Sequence, residues 1–185
     1  MMMNPAQRAS SVICLCGVLA LLTGCSTLPP EDVTIVTPFD LSKYAGKWFE
    51  IARLDHTFER GLTDINAHYS QRADGRIQVI NRGFNTESAR WKDTLGVADF
   101  ADTPNRGALK VSFFWPIYGG YNVVALDEVN YRWSLVMGPN RDYFWILSRD
   151  RHLDAELKQT LIEKARKLGI NTDQLIWTPQ TRSDG

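Results

Sequence analysis

The chain has 185 residues and equal numbers of basic and acidic side chains, 21 of each, so its formal charge at pH 7 is zero. This length fits one domain and a targeting segment, and 44% hydrophobic residues are enough for a core of useful size. The balanced charge gives no electrostatic reason to expect a nucleic-acid partner, and we predict none.

Residues 1–24 have the pattern of a signal peptide. Arg8 precedes an apolar run, Val12 to Leu22, that is too short to span a bilayer. The run ends in Leu22-Thr23-Gly24-Cys25, which resembles the lipobox of bacterial lipoproteins. In that pattern the peptide is removed and the cysteine is lipidated, so we predict a lipid anchor on Cys25. The alternatives are an ordinary signal peptide with a chance cysteine and an uncleaved anchor.

The cysteine count agrees with this interpretation. Cys14 and Cys16 fall in the predicted signal peptide and Cys25 is the predicted lipidation site, so the mature domain would hold no thiol. We therefore expect no disulfide, no cysteine nucleophile and no cysteine-ligated metal. In known lipoproteins, a non-acidic residue such as Ser26 after the cysteine favours the outer membrane. We predict an outer-membrane location, with the lipid-anchored domain facing the periplasm.

The segment 25–38 contains three prolines and is predicted as a lipidated N-terminus and an extended tether. After it we predict one domain over residues 39–180 and a short tail over 181–185.

Apolar and polar residues alternate through most of this domain, which is typical of half-buried strands. Short turn signals separate the alternating runs, and connections of this length join antiparallel neighbours. Eight such strands form an up-and-down barrel, which has room for one small ligand. A longer connection, His56 to Leu62, is predicted as a lid at the barrel mouth. The predicted strands are 47–55, 63–71, 76–83, 92–101, 108–115, 120–127, 131–137 and 143–149.

One helix is predicted after the eighth strand. Its apolar residues recur every three or four positions from Leu153 to Leu168, and Gly169 is its predicted C-terminal cap. We expect this helix to pack on the outside of the barrel, and Leu175 to Trp177 to form a short final strand. The fold class is therefore mainly β, an eight-stranded antiparallel barrel with one C-terminal helix.

Three segments resemble the lipocalin family. Leu41 to Arg53 is similar to its N-terminal signature, whose kernel is a glycine and a tryptophan, here Gly46 and Trp48. Ala125 to Val136 and Tyr143 to Arg149 resemble its second and third motifs, although the second lacks the usual Thr-Asp-Tyr. The resemblance covers residues 38–180, and the lipobox makes it greatest to the bacterial outer-membrane members. It implies that Arg149 packs against Trp48, and we take Gly46, Trp48 and Arg149 as structural residues.

The predicted binding residues follow from which side chains face the barrel interior. If Arg149 points to the floor, Trp145 and every second residue of its strand face inward. The same argument turns Glu50, Ala52 and Leu54 inward on the first strand. Apolar alternation brings Leu109, Val111 and Phe113, and Trp133, Leu135 and Met137, to the interior. Glu50 would need a basic partner or a polar head group, because a buried carboxylate is costly alone. The residues predicted to bind a ligand are Phe113, Trp133, Leu135, Trp145, Tyr121 and Glu50.

Catalytic and metal motifs are absent from the sequence. His56, His68 and His152 match no metal-ligand spacing, and no nucleophile elbow or phosphate loop occurs. We predict a protein that binds and stores or transports fatty acids, lysophospholipids or phospholipids, with no cofactor, metal or catalytic residue. The alternatives are a binder of another apolar ligand, such as a pigment or haem, and an enzyme built on a lipocalin barrel. A homodimer is left open.

Overall fold

The computed structural model describes residues 26–183. Within this range, a short helix α1 (Leu41–Tyr44) precedes eight strands, which a second helix α2 (Ala155–Lys167) and a two-residue strand β9 (Ile176–Trp177) follow. The eight strands are β1 (Gly46–Arg53), β2 (Leu62–Gln71), β3 (Ile77–Asn85), β4 (Arg90–Phe100), β5 (Ala108–Phe114), β6 (Ile117–Leu126), β7 (Trp133–Met137) and β8 (Phe144–Ser148).

Each strand pairs antiparallel with the next strand along the chain, and β1 pairs with both β2 and β8. The sheet is therefore a closed barrel, which confirms the predicted fold class. The strand bounds differ from the predicted ones by up to three residues. The largest difference is at β6, which begins at Ile117 because β5 and β6 form a tight hairpin around Trp115 and Pro116.

The barrel interior holds one of two hydrophobic cores. Its members come from alternate positions of the strands, such as Ile77 and Val79 of β3, and from α1, which closes one end of the barrel. The loops at the other, open end join β1 to β2, β3 to β4, β5 to β6 and β7 to β8. Gly96 and Ala98 on β4 are small, and the Phe113 ring packs against the space beside Gly96, where a Cβ would lie 2.7 Å from that ring.

The second core lies outside the barrel, between the sheet and α2. Asp154 caps the N-terminus of α2 by accepting a hydrogen bond from the Leu157 amide, and Gly169, with φ at +80°, follows its last turn. Leu161 and Ala165 of α2 are fully buried in this core. The predicted helix, its outside position and the short final strand are thus confirmed.

This second core corrects the predicted orientation of β7. Leu135 and Met137 belong to the outer core, and Trp133 packs against its edge, whereas Ser134 and Val136 face the interior. The expectation that Trp133, Leu135 and Met137 face inward is wrong. The physical reason is that β7 is covered by α2 on one face and by the barrel core on the other, so apolar alternation does not distinguish its two faces.

A β-bulge corrects the orientation of the end of β1. Glu50 is paired with Leu147, but Ala52 is paired with Ile146, so one extra residue, Ile51, is inserted between these pairs. The insertion reverses the side-chain alternation. Ala52 and Leu54 therefore join the outer core, where the sequence predicts them inside, and Arg53 turns inward.

The N-terminal segment also differs from expectation. Val33, Ile35 and Val36 are buried, and Val36 donates its amide to Val123 and accepts the amide of Gly107. The described part of the predicted tether, residues 26–38, thus packs along the barrel, which corrects the expectation of an extended linker. The predicted signal peptide and Cys25 lie outside the described residues. Between residues 26 and 183, no helix has the length and hydropathy that crossing a bilayer requires.

Candidate functional site

The floor of the barrel is built around Trp48 and Arg149. The Arg149 guanidinium lies 3.9 Å from the centre of the Trp48 ring and donates hydrogen bonds to carbonyls of Lys43, Tyr44, Ala45 and Lys47. Trp48 donates its indole N–H to the Tyr44 carbonyl at 2.7 Å. Gly46 has a φ of +95°, which glycine adopts readily. The contact that the resemblance implies is present, and it ties α1 to the end of β8.

A tyrosine layer, formed by Tyr44, Tyr69 and Tyr121, lies above this floor. The Tyr121 hydroxyl lies 2.6 Å from that of Tyr44 and accepts a hydrogen bond from Tyr69 at 3.0 Å, and Ser134 completes the network. Burial raises the pKa of Tyr44 to about 12 and raises the pKa of Tyr69 and Tyr121 above their usual range. The layer is therefore neutral at physiological pH and forms the bottom of the upper interior.

The upper interior is lined by aromatic residues that retain some exposure. Phe113, near the end of β5, and Trp145, near the start of β8, pack against the interior core, yet each is only partly buried. A side chain that faces the inside of a closed sheet and is still accessible to water is reached through the open end of the barrel. The interior above the tyrosine layer is therefore an apolar cup, open at the end opposite α1.

A buried polar cluster lies at one side of this cup. Glu50 accepts hydrogen bonds from Arg53 at 2.7 Å and from Thr178 at 2.5 Å. The Trp145 indole donates to a Glu59 carboxylate oxygen at 3.2 Å, and the Arg53 guanidinium donates to the Glu59 carbonyl at 3.1 Å. Glu50 thus finds the basic partner that its burial requires, and the cluster links β1, the loop after it and β8.

Glu59 is the exceptional member of this cluster. Burial, together with the neighbouring negative charge of Glu50, raises the pKa of Glu59 to about 8. One guanidinium, that of Arg53, lies near both carboxylates, and its Nε, 3.7 Å from Glu59, has no hydrogen-bond partner among the described residues. The Glu59 carboxyl is therefore protonated around neutral pH, and the cluster as a whole is close to neutral.

The loop between β1 and β2 covers part of the mouth. His56 stacks between Phe58 and Tyr143, with ring centres 5.4 and 5.1 Å away, and its ring lies 4.6 Å from that of Trp145. Burial, together with the positive charge of Arg53, lowers the pKa of His56 to about 4. A neutral imidazole in an aromatic stack thus holds this loop against the mouth of the barrel. This is the loop that the sequence predicts to be a lid.

The structure brings some of the predicted binding residues together and separates others. Phe113, Tyr121 and Trp145 all pack against the interior core, and Glu50 lies at its side. Leu135 is fully buried under α2, and Trp133 borders a groove of about 660 Å³ on the outside, so neither faces the cup.

Sequence reasoning missed the residues that make the cup polar at its side. The inward orientation of Arg53 was not predicted because the bulge reverses the side-chain alternation before it. Nothing in a loop sequence indicates that His56 and Glu59 are buried. Tyr44 and Tyr69 carry a weak signal, because tyrosines at interior positions need hydroxyl partners. Among residues 26–183, no group of three or more His, Cys, Asp or Glu side chains is placed to hold a metal ion.

Comparison with known proteins decides the family. The model of the family described as "Lipocalin-like domain" matches residues 39–180, which include the floor, the cup and α2. The chain belongs to the lipocalin family. This lipocalin has a closed barrel with an interior that is open at one end.

Bacterial relatives match almost the whole of this lipocalin. It is 48% identical over 175 residues to "Outer membrane lipoprotein Blc" of Citrobacter freundii, covering 94% of the chain and 98% of the relative. It is 49% identical over 164 residues to the protein of the same name from Escherichia coli, covering 88% of the chain and 92% of the relative. Among solved structures, insecticyanin of Manduca sexta matches with a TM-score of 0.65 at 20% identity, covering 83% of the chain and 86% of the insecticyanin chain, which shows the shared fold.

Proposed function

We propose that this lipocalin binds single-chain and double-chain lipids, such as fatty acids, lysophospholipids and phospholipids, with an acyl chain inside the barrel. The observation that carries this proposal is the partly exposed aromatic lining of the upper interior, Phe113 and Trp145, above a neutral tyrosine layer. Removing an acyl chain from water against such walls is favourable by roughly 25 cal/mol per Å². We propose a binding protein rather than an enzyme.

Electrostatics supports an acyl chain better than a charged ligand in the depth of the cup. The tyrosine layer and the Glu50–Arg53–Glu59 cluster are both close to neutral, so neither offers a free charge to the interior. Glu50, one of the predicted binding residues, is occupied by Arg53 and Thr178 and acts here as a support. Phe113, Tyr121 and Trp145 remain as proposed contacts for the ligand.

We propose an outer-membrane location, with Cys25 as the lipidated residue and the domain facing the periplasm. The support is the name "outer membrane lipoprotein" carried by relatives at 48% and 49% identity, together with the lipobox pattern at Leu22 to Cys25. A binding protein tethered beside a bilayer meets lipids at high effective concentration, which suits storage or transport of lipids.

The test is a titration of the purified protein with fatty acids and lysophospholipids of graded chain length, followed by tryptophan fluorescence. Because Trp145 borders the cup, binding should change its emission, and affinity should rise with chain length until the cup is filled. Phe113→Ala should weaken binding, whereas Phe49→Ala, on the outer face of β1, should not. A flat response to all lipids, with haem or a pigment binding well, would contradict the lipid assignment.

A further inference from the structure

The open end of the barrel carries an unusual set of exposed apolar side chains. In the hairpin between β5 and β6, Phe114, Trp115 and Ile117 are 76%, 83% and 73% exposed. Phe58 on the β1–β2 loop and Tyr143 on the β7–β8 loop, at the same end of the barrel, are also exposed. We call these five residues the apolar rim.

Such clustering is not found elsewhere on the described surface. Leu95, Val129 and Ile176 are exposed too, but they stand on different elements, and Val129 lies in the loop between β6 and β7 at the closed end. Exposed apolar residues that stand singly need no explanation, whereas a patch of aromatic side chains at one end of a molecule marks a contact surface.

The N-terminal segment runs along the outside of the barrel toward the same end. At Val36 it is paired with Val123 and Gly107, near the closed end of β5. At Thr27 its carbonyl accepts a hydrogen bond from the Asn122 side chain at 2.9 Å and lies against Gly120, where a Cβ would approach it to 2.1 Å. From Val36 back to Thr27, the segment therefore follows β6 from Val123 toward the β5–β6 hairpin.

The chain therefore leaves the described part of the barrel close to the rim. Gly120 is only three residues from Ile117, the first residue of β6, which corresponds to about 10 Å along a strand. Cys25 is two residues before Thr27, and two residues span at most about 7 Å. A lipid on Cys25 would thus be attached near the apolar rim and far from the floor.

Charge at the open end favours an uncharged contact. The hairpin from Phe114 to Tyr118 has no ionisable side chain other than the Tyr118 phenol. Two ion pairs lie near this end of the barrel: Asp55 with Arg60 at 2.6 Å, and Asp32 with Arg141 at 2.5 Å. Tryptophan, tyrosine and phenylalanine are the residues that favour the boundary between lipid head groups and acyl chains.

We propose that the apolar rim docks on the lipid bilayer, so that the mouth of the barrel faces the leaflet that carries the Cys25 anchor. The hairpin Phe114–Ile117 enters the boundary between head groups and acyl chains. This inference deepens the proposed function and rests on it for its purpose, because a cup that faces the bilayer receives an acyl chain without exposing it to water. The docking geometry itself rests on the rim and on the path of residues 27–36.

The experiment places one dye at each end of the mature, lipidated protein. Trp115→Cys and Val129→Cys put a thiol at positions that are 83% and 78% exposed, at the open and the closed end respectively. Each variant is labelled with an environment-sensitive dye and reconstituted into phosphatidylcholine vesicles that contain lipids with quenchers at graded depths. We expect quenching of the dye at 115, strongest with quenchers near the head groups, and none of the dye at 129. The quenching should persist at high salt, because no charge pair holds the rim to the membrane.

Each other outcome has one meaning. A dye at 115 that stays unquenched, or equal quenching at both positions, overturns the docking proposal. The unsubstituted chain should take up no dye; labelling of Cys25 in that control would instead contradict the lipid anchor. In the same vesicles, Phe114→Ser with Trp115→Ser should slow the uptake of a fluorescent fatty acid several-fold and leave its equilibrium affinity unchanged. If the unsubstituted protein binds no fatty acid while the dye at 115 is still quenched, the result contradicts the proposed lipid-binding cup and not the docking.

Discussion

At the scale of single residues, Glu59 couples the charge of the site to the stability of the fold. Its carboxyl lies between the Trp145 indole and Arg53, beside a second carboxylate, and it is almost fully buried. With a native pKa of about 8 and an ordinary value of 4.5, the native state keeps a proton that the unfolded chain loses between these two pH values. The free energy of unfolding should therefore fall as pH rises through this window.

His56 also makes the free energy of unfolding depend on pH, but this contribution rises with pH and lies in a lower pH range. Its native pKa of about 4 lies below its ordinary value of 6.5, so between these values the unfolded chain binds a proton that the native state lacks. This contribution is lost as pH falls and is constant above pH 6.5. The range from pH 6.5 to 8 therefore isolates Glu59.

We predict that Glu59→Gln removes this dependence. The free energy of unfolding of the unsubstituted protein should decrease between pH 6.5 and 8 by up to about 1.4 kcal/mol per pH unit, the value for one proton. In Glu59→Gln the slope of the free energy of unfolding with pH should be smaller by that amount, because the amide oxygen still accepts the Trp145 N–H but the side chain does not ionise. Urea unfolding at several pH values measures this, and Glu87→Gln on the exposed β3–β4 loop is the matched control. Parallel pH profiles for the two variants would show that Glu59 is ionised in the native state.

At the scale of elements, the positions of the strands in the sequence were predictable. Which face points into the barrel was not predictable for β7 and for the end of β1. Strands such as β3 and β5 alternate cleanly, because one face meets the core and the other meets water. In β7, every residue except Trp133 is buried, so the sequence carries no information about which face is inside. The bulge at Ile51 has no sequence signal of its own, and it moved Arg53 into the site and Ala52 out of it. The predicted inward orientation was therefore right where alternation was clean, at Phe113 and Trp145, and their contact with a ligand stays a prediction.

This difference between faces gives a prediction for a pair of variants. Leu135→Ala should lower the free energy of unfolding by about 2–5 kcal/mol, as expected for a fully buried leucine, because it opens a cavity under α2. Its affinity for fatty acids, measured on the folded protein, should stay unchanged, because Leu135 does not face the cup. Phe113→Ala should have the reverse profile, with a smaller loss of stability and weaker binding. Equal losses of affinity in the two variants would contradict the division into an inner and an outer core.

At the scale of the whole molecule, one barrel and one helix followed directly from the order of strands, turns and apolar stripe. The path of the N-terminal segment did not, because prolines are compatible with a free linker and with a segment docked on a surface. The docking depends on long-range contacts, such as those of Val36 with Val123 and of Thr27 with Asn122, which no local pattern encodes. The consequence is that Thr27, two residues after the proposed anchor at Cys25, is held against β6.

The anchor itself is tested by Cys25→Ser. Several acyl chains, each contributing about 0.8 kcal/mol per buried methylene, hold a protein on a membrane in effect permanently, whereas the apolar rim offers only a few side chains. We therefore expect the variant to lose its stable outer-membrane attachment and to be found as a soluble protein or as a precursor retained in the inner membrane. Membrane fractionation with mass analysis of the N-terminus measures this, and Ser26→Ala, which leaves the cysteine in place, is the control. Mature Cys25→Ser protein that still fractionates with the outer membrane would contradict the lipobox, and would show that contacts of the folded domain suffice for attachment.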